Sequence, residues 1–131
     1  MIMVFLATLA AFVALDALWI SLAAMPMFQG AVGGIMRPAP LITPAAIFYV
    51  IYIAGLMRLA VMPALRERSA KSAAMNGAVL GLTAYATFDL TNLTIIQGWT
   101  PMLAAVDMAW GTVVSAAAAI TGYWVGIRKR S

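Results

Sequence analysis

Four long apolar runs limit what this chain can fold into. They cover approximately residues 2–24, 43–65, 73–96 and 102–127, and a run of about 20 apolar residues is long enough to cross a bilayer as an α-helix. Only 9% of the 131 residues are charged, whereas a soluble domain carries about a quarter. The pattern predicts an all-α integral membrane four-helix bundle, a single four-span domain over residues 1–131 with the lipid bilayer as its main surroundings.

The first 41 residues hold one predicted span and one predicted loop. No Lys or Arg precedes the first apolar run and Asp16 lies inside it, so we expect an uncleaved span rather than a signal peptide. Residues 25–41 are rich in proline and glycine, which favours a loop. Two readings of this loop stay open, namely a plain connector and a lid that folds over the mouth of the bundle.

Basic residues predict the orientation of the chain. They cluster between the second and third runs and after the fourth run, at Arg66, Arg68, Lys71, Arg128, Lys129 and Arg130. Cytoplasmic loops carry an excess of Lys and Arg, and in a four-span protein these two clusters lie on the same side. We therefore expect both termini in the cytoplasm. The net charge of +4 is explained by these ends, and we predict no nucleic-acid partner.

Three of the four carboxyl side chains lie inside apolar runs, where they are rare and costly. Asp89 belongs to the polar block Tyr85-Ala86-Thr87-Phe88-Asp89-Leu90-Thr91-Asn92, and Asp16 and Asp107 lie in the first and fourth runs. Counted along helices, the three acids fall within about two turns of one level. The sequence predicts a polar pocket there, formed by Asp16, Asp89, Asn92, Asp107, Thr91 and Tyr85.

The first and fourth runs share a short repeated motif. Both contain an Asp-x-x-Trp segment, which ends at Trp19 in one and at Trp110 in the other. Residues three apart share a helix face, so each indole should flank the pocket. Because the two spans run in opposite directions, we expect the indoles on opposite sides of the carboxyl layer. The repeated motif has two explanations, an inverted duplication of the kind seen in transporters and chance.

Two arginines are candidate counter-charges for these acids. Arg37 lies in the predicted loop at residues 25–41, and Arg58 lies inside the second run. Arg58 is close enough to the basic loop for its side chain to reach the headgroups instead, since long basic side chains extend toward the membrane interface. Pairing with a buried acid and contact with the headgroups are therefore both open for Arg58.

Composition restricts the chemistry of the pocket. The sequence has no cysteine and no histidine, which removes the usual ligands of zinc, haem and iron–sulfur clusters. We therefore predict no metal ligands of those kinds and leave the cofactor unspecified. Neighbouring carboxyls in a low-dielectric site would share protons, hold a cation or pair with an arginine.

Three functions fit such a pocket. The first is binding or transport of a proton, a cation or a small polar group. The second is a membrane enzyme that acts on a lipid, with one aspartate as acid or base. The third is an accessory subunit of a larger membrane complex, in which the aspartates lock helices together. The glycine-rich stripes also suggest a homodimer.

The same residues resemble a known family. Leu15-Asp16-x-x-Trp19, the Tyr85–Asn92 block and Asp107-x-x-Trp110-Gly111 resemble the marks of a bacterial membrane-protein family classed as domain of unknown function 2177. The resemblance covers nearly the whole chain, and the Tyr85–Asn92 block is its most specific part. It implies a small four-span protein of bacteria, which we expect in the inner membrane, and it brings no activity that can be transferred.

Overall fold

The computed structural model describes residues 1–130, which form long helices joined by short connections. The helices are α1 (Ile2–Trp19), α2 (Met25–Val32), α3 (Ile42–Leu56), α4 (Met62–Glu67), α5 (Ala70–Ile95) and α6 (Pro101–Arg130). A π turn at Ile20–Ala24 joins α1 to α2 without a break, and a second π turn at Met57–Val61 joins α3 to α4. The predicted all-α membrane bundle is confirmed.

Three helical segments are long and apolar enough to cross a membrane: Ile2–Ile35, Ile42–Glu67 and Pro101–Arg130. Helix α5 has 26 residues and sufficient length, but its Asn, Asp, Tyr and Thr side chains lower its mean hydropathy and it is not among the three. Membrane character is therefore established by the apolar helices. The fourth span stays a prediction.

The predicted loop at residues 25–41 is wrong over its first part, because α2 continues the first helix to Val32 and a 3₁₀ turn follows at Gly33–Ile35. Proline usually ends a helix, since it lacks the N–H that bonds to the carbonyl four residues back. Here the π turn before Pro26 changes the bonding pattern, and the Met25 N–H donates to Ile20 O five residues earlier. The irregular connection is limited to residues 36–41.

Helices α3 and α4 are joined by the same kind of π turn. The Met62 N–H donates to Met57 O, five residues back, directly before Pro63. Such single π turns widen a helix locally and are common where proline disturbs the regular ladder. Both apolar segments therefore stay helical through a proline, which keeps α1 with α2 and α3 with α4 as two continuous rods.

Small residues bring the helices together at one end of the bundle. A Cβ atom added to Gly77 on α5 would lie 2.8 Å from the backbone oxygen of Ser115 on α6, and one added to Gly126 would lie 2.9 Å from the side chain of Leu65. Close approach through such residues is a common packing mode between membrane helices. We call this the basic end, because the loop at residues 66–71 and the C-terminal basic residues adjoin it.

Aromatic residues dominate the opposite end, which we call the turn end after the turn at residues 96–100 between α5 and α6. A small cluster of buried residues there contains Trp99, Leu103 and Ala104, and Phe28 of α2 packs against it. Gly98 has φ +93°, a conformation that favours glycine, and lies directly against the carbonyl of Ala31. Thus α2 is held across the turn end.

Candidate functional site

Two reciprocal hydrogen bonds join α1 to α6. Trp19 Nε1 donates to Asp107 Oδ1 at 3.4 Å, and Trp110 Nε1 donates to Asp16 Oδ1 at 3.3 Å. The two indoles stack between these bonds, with centroids 5.0 Å apart and planes 8° from parallel. Each Asp-x-x-Trp segment therefore binds the carboxyl of the other helix.

The expected positions of the indoles are wrong. On two antiparallel helices in contact, the tryptophan one turn beyond each aspartate lies level with the aspartate of the partner helix. Trp19 and Trp110 consequently meet face to face.

Helix α3 supplies two tyrosines that the sequence analysis did not assign to the site. Tyr49 Oη donates to Asp16 Oδ2 at 2.6 Å, and Tyr52 Oη lies 2.7 Å from Ser115 Oγ. Their spacing of three residues in an apolar helix is the signal that could have found them, because it places both hydroxyls on one face. Asp16 is thus held by donors from α3 and α6.

A cavity of about 360 Å³ lies beside this network, within the range typical of small-ligand sites. Its two acidic residues are Asp16 and Asp107. Its aromatic residues are Trp19, Phe28, Phe48, Tyr52, Tyr85 and Phe88, and the remaining wall is formed by Ile20, Ala24 and Ala84. The site is therefore an aromatic chamber with two carboxyls on its wall.

Aromatic rings border the cavity toward the turn end and at the surface of the bundle. Phe28, Phe88 and Trp99 form a ring cluster, with centroid distances of 5.2 Å from Phe28 to Trp99 and 5.7 Å from Phe88 to Trp99. At the surface, Phe48 of α3 and Phe88 of α5 are 46% and 47% exposed. These two wall residues thus connect the cavity with the surface of the bundle.

Asp89 is the most deeply buried of the acids, with no exposed surface. Neither of its carboxyl oxygens has a hydrogen-bond partner among residues 1–130. The groups that act on it are the Asp107 carboxyl and the Trp99 indole, whose own Nε1 is buried without a partner in the same part of the chain. Asp89 therefore stands beside Asp107 and outside the cavity wall.

The other predicted pocket residues divide into two groups. Tyr85 lines the cavity, and its ring packs directly on Gly111 of α6. Asn92 is half-buried and Thr91 is exposed, and neither belongs to the cavity wall. The structure thus brings together Asp16, Asp107, Tyr85 and both tryptophans, with Asp89 adjoining them.

The candidate counter-charges lie on the surface. Arg37 and Arg58 are both exposed, whereas the hydrogen bonds that Asp16 and Asp107 accept come from Tyr49 and the two tryptophans. A role for either arginine as a counter-charge stays a prediction. Among residues 1–130, no three acidic side chains are grouped closely enough to hold a metal ion.

Comparison with known proteins identifies the family. No curated protein and no solved structure matches the chain. The family model described as predicted membrane protein (DUF2177) matches residues 1–124, a range that includes both Asp-x-x-Trp segments and every residue of the cavity wall. The family predicted from the Tyr85–Asn92 block is confirmed, and the chain belongs to the DUF2177 family of predicted membrane proteins.

Proposed function

We propose that this protein binds an amphiphilic organic cation within the membrane. The observation that carries the proposal is the aromatic chamber of about 360 Å³ with Asp16 and Asp107 on its wall. Faces of aromatic rings attract organic cations, and cages of such rings recognise ammonium groups. Carboxyls on the same wall add charge recognition and disfavour anions.

The charge balance of the chamber supports a cationic ligand. Asp16 and Asp107 are only 7% and 4% exposed, and the donors that bind them are neutral indole and phenol groups. A buried carboxylate is costly unless it is paired or fully hydrogen-bonded. An ammonium group in the chamber would offset that cost, which gives the ligand a favourable free energy of binding.

The position of the opening supports a ligand that reaches the site from the bilayer. The wall residues Phe48 of α3 and Phe88 of α5 are about half exposed on the apolar surface of the bundle, and we place the opening beside them. An amphiphile could insert its tail along these two rings and place its ammonium group at the acids.

We also propose the four-span topology in a bacterial inner membrane, with both termini in the cytoplasm. The contact of Leu65 with the Gly126 position supports it, because it places the two basic clusters at the same end of the bundle. Helix α5 would then be the fourth span, with Asp89 buried and the exposed hydroxyls of Thr83, Thr87 and Thr94 bonded to carbonyls of the same helix. The chamber would lie in the half of the membrane away from the cytoplasm.

Binding of decyltrimethylammonium to the protein in lipid nanodiscs tests the ligand class. Decanol serves as the neutral analogue, and empty nanodiscs correct for partition into lipid. We expect the cation to bind and decanol to bind at least about tenfold more weakly, a difference of about 1.4 kcal/mol. Asp16→Asn and Asp107→Asn should each weaken binding of the cation by a similar factor.

The chain offers a matched control for these variants. Glu67 is the fourth carboxyl and is exposed at the basic end, so Glu67→Gln removes one negative charge without touching the chamber. Its affinity for decyltrimethylammonium should equal that of the wild type. Equal affinity for decanol and the cation, or unchanged affinity in Asp107→Asn, would contradict the proposal.

A second candidate function is a structural subunit of a membrane complex. The reciprocal tryptophan–aspartate bonds favour it, because they lock α1 to α6. In that case the Asp→Asn variants lower the stability of the bundle and nothing binds in the chamber. Gly77 and Gly81 pack against α6 of the same chain. The expected homodimer would therefore need another surface. The lipid-modifying enzyme stays a prediction that lipid profiles of cells with and without the protein would test.

A further inference from the structure

We propose that Asp89 and Asp107 share one proton, that this proton resides on Asp89, and that the protonated carboxyl donates a hydrogen bond which orients Asp107 toward the chamber. Asp89 is then a positioning residue behind the binding site. The proton on Asp89 is inferred from its burial, its missing hydrogen-bond partners and the nearby Asp107 carboxyl. Its effect on ligand affinity rests on the proposed function.

The burial of Asp89 and its lack of hydrogen-bond partners indicate that its carboxyl is protonated. Asp89 has no exposed surface, and both of its carboxyl oxygens lack a hydrogen-bond partner among residues 1–130. An ionised carboxylate in such a position would lose its hydration without compensation. The free-energy cost of burying a neutral carboxylic acid is far smaller, and the neutral form has an O–H donor.

The neighbour of Asp89 is a second carboxyl, that of Asp107. Asp107 acts on Asp89 directly, and two adjacent carboxyls in a low-dielectric site do not both ionise. One proton held between them removes the repulsion and creates a hydrogen bond. The Trp99 indole, a buried donor without a partner among the described residues, can stabilise whichever oxygen of Asp89 remains an acceptor.

The surroundings decide which carboxyl keeps the proton. Asp107 already accepts a hydrogen bond from Trp19 and lies on the chamber wall. Asp89 has neither feature, so it holds the proton. The other titratable side chains facing this region are Tyr85 on α5, Asp16 on α1, and Tyr49 and Tyr52 on α3. None of them is cationic.

Infrared difference spectroscopy of the protein in nanodiscs tests the proton directly. The wild type at neutral pH should show the carbonyl stretch of a protonated carboxylic acid, shifted when hydrogen is exchanged for deuterium. Asp89→Asn should remove this band, whereas Asp16→Asn and Glu67→Gln should retain it. A wild-type spectrum without the band, or a band that persists in Asp89→Asn, overturns the proposal.

Affinity for decyltrimethylammonium tests the positioning role. Asn at residue 89 keeps a donor, because its NH₂ group replaces the acid O–H, so Asp89→Asn should bind within about threefold of the wild type. Asp89→Leu removes the donor and should weaken binding at least about tenfold.

The outcomes separate the two proposals. Weak binding by Asp89→Asn, equal to that of Asp107→Asn, overturns the positioning role even if the wild type binds the cation. Absence of binding by the wild type, together with a carboxylic-acid band that disappears in Asp89→Asn, contradicts the proposed ligand and upholds the shared proton. The carboxylic-acid band is first measured on the wild type. A wild-type spectrum without the band therefore overturns the shared proton even if Asp89→Asn does not fold.

Discussion

The two ends of this bundle are built from the same helices and differ in how those helices touch. At the basic end, backbones meet through glycine and alanine, and Ala60, Ala64 and Ala118 have no exposed surface. At the turn end, contacts run through aromatic rings and leave a chamber of about 360 Å³. Side-chain size therefore determines where the bundle is tightly packed and where it can hold a ligand.

The boundary between the two regions lies near Ser115. On one side, Gly77 approaches the backbone of α6 directly. On the other side, the Tyr85 ring lies on Gly111, and Tyr52 reaches Ser115 Oγ from α3 at 2.7 Å. Where rings replace glycines the helices are held apart, and carboxyls can be accommodated in the space that results.

The largest effect on stability should come from adding one methyl group at the basic end. In Gly77→Ala the new Cβ would lie 2.8 Å from the backbone oxygen of Ser115 and 2.9 Å from the Ala119 side chain. Neither group can rotate away, so α5 must move from α6. We expect a loss of about 1–3 kcal/mol in unfolding free energy, measured by SDS titration in mixed micelles followed by circular dichroism.

Gly55→Ala is the matched control for that variant. No atom lies within 4 Å of a Cβ added there, and alanine is the better helix former. Its unfolding free energy should equal or slightly exceed that of the wild type. A loss equal to that of Gly77→Ala would mean that the close contact between α5 and α6 is not what stabilises the basic end.

Much of this organisation could be predicted from the sequence, because its signals are local. Long apolar runs indicate membrane helices whatever their neighbours are. An aspartate in such a run indicates a polar site for the same reason, and three acids at similar depth led to Asp16 and Asp107 on one cavity wall. The family followed from the Tyr85–Asn92 block, and residues 1–124 match its model.

The features that could not be predicted depend on contacts between helices. Pro26 suggested a loop, yet the π turn before it lets the helix continue to Val32. The roles of Tyr49 and of the stacked indoles depend on which helices are neighbours, a property that spacing along one helix does not contain. Asn92 was placed in the pocket by its position on the helix, and the structure leaves it off the cavity wall.

A medium effect should follow from removing one indole N–H at the boundary of the chamber. Trp19→Phe keeps an aromatic ring against Trp110 and removes the donor to Asp107. We expect a loss of about 0.5–1.5 kcal/mol in unfolding free energy, the range for one buried hydrogen bond. Trp124→Phe is the control, because Trp124 is about half exposed on α6. Equal effects of the two variants would show that the reciprocal bond contributes nothing to stability.

The smallest effect on stability should come from adding three carbons at the turn end. Ala84 of α5 lies on the chamber wall, so the larger side chain of Ala84→Leu would enter the chamber and displace no backbone. We expect a change within about 0.5 kcal/mol in unfolding free energy and a loss of about tenfold in affinity for decyltrimethylammonium. A loss of stability like that of Gly77→Ala would mean that the turn end is packed as tightly as the basic end. Retained affinity would mean that the cation binds elsewhere, and then the contrast between the two ends would no longer locate the site.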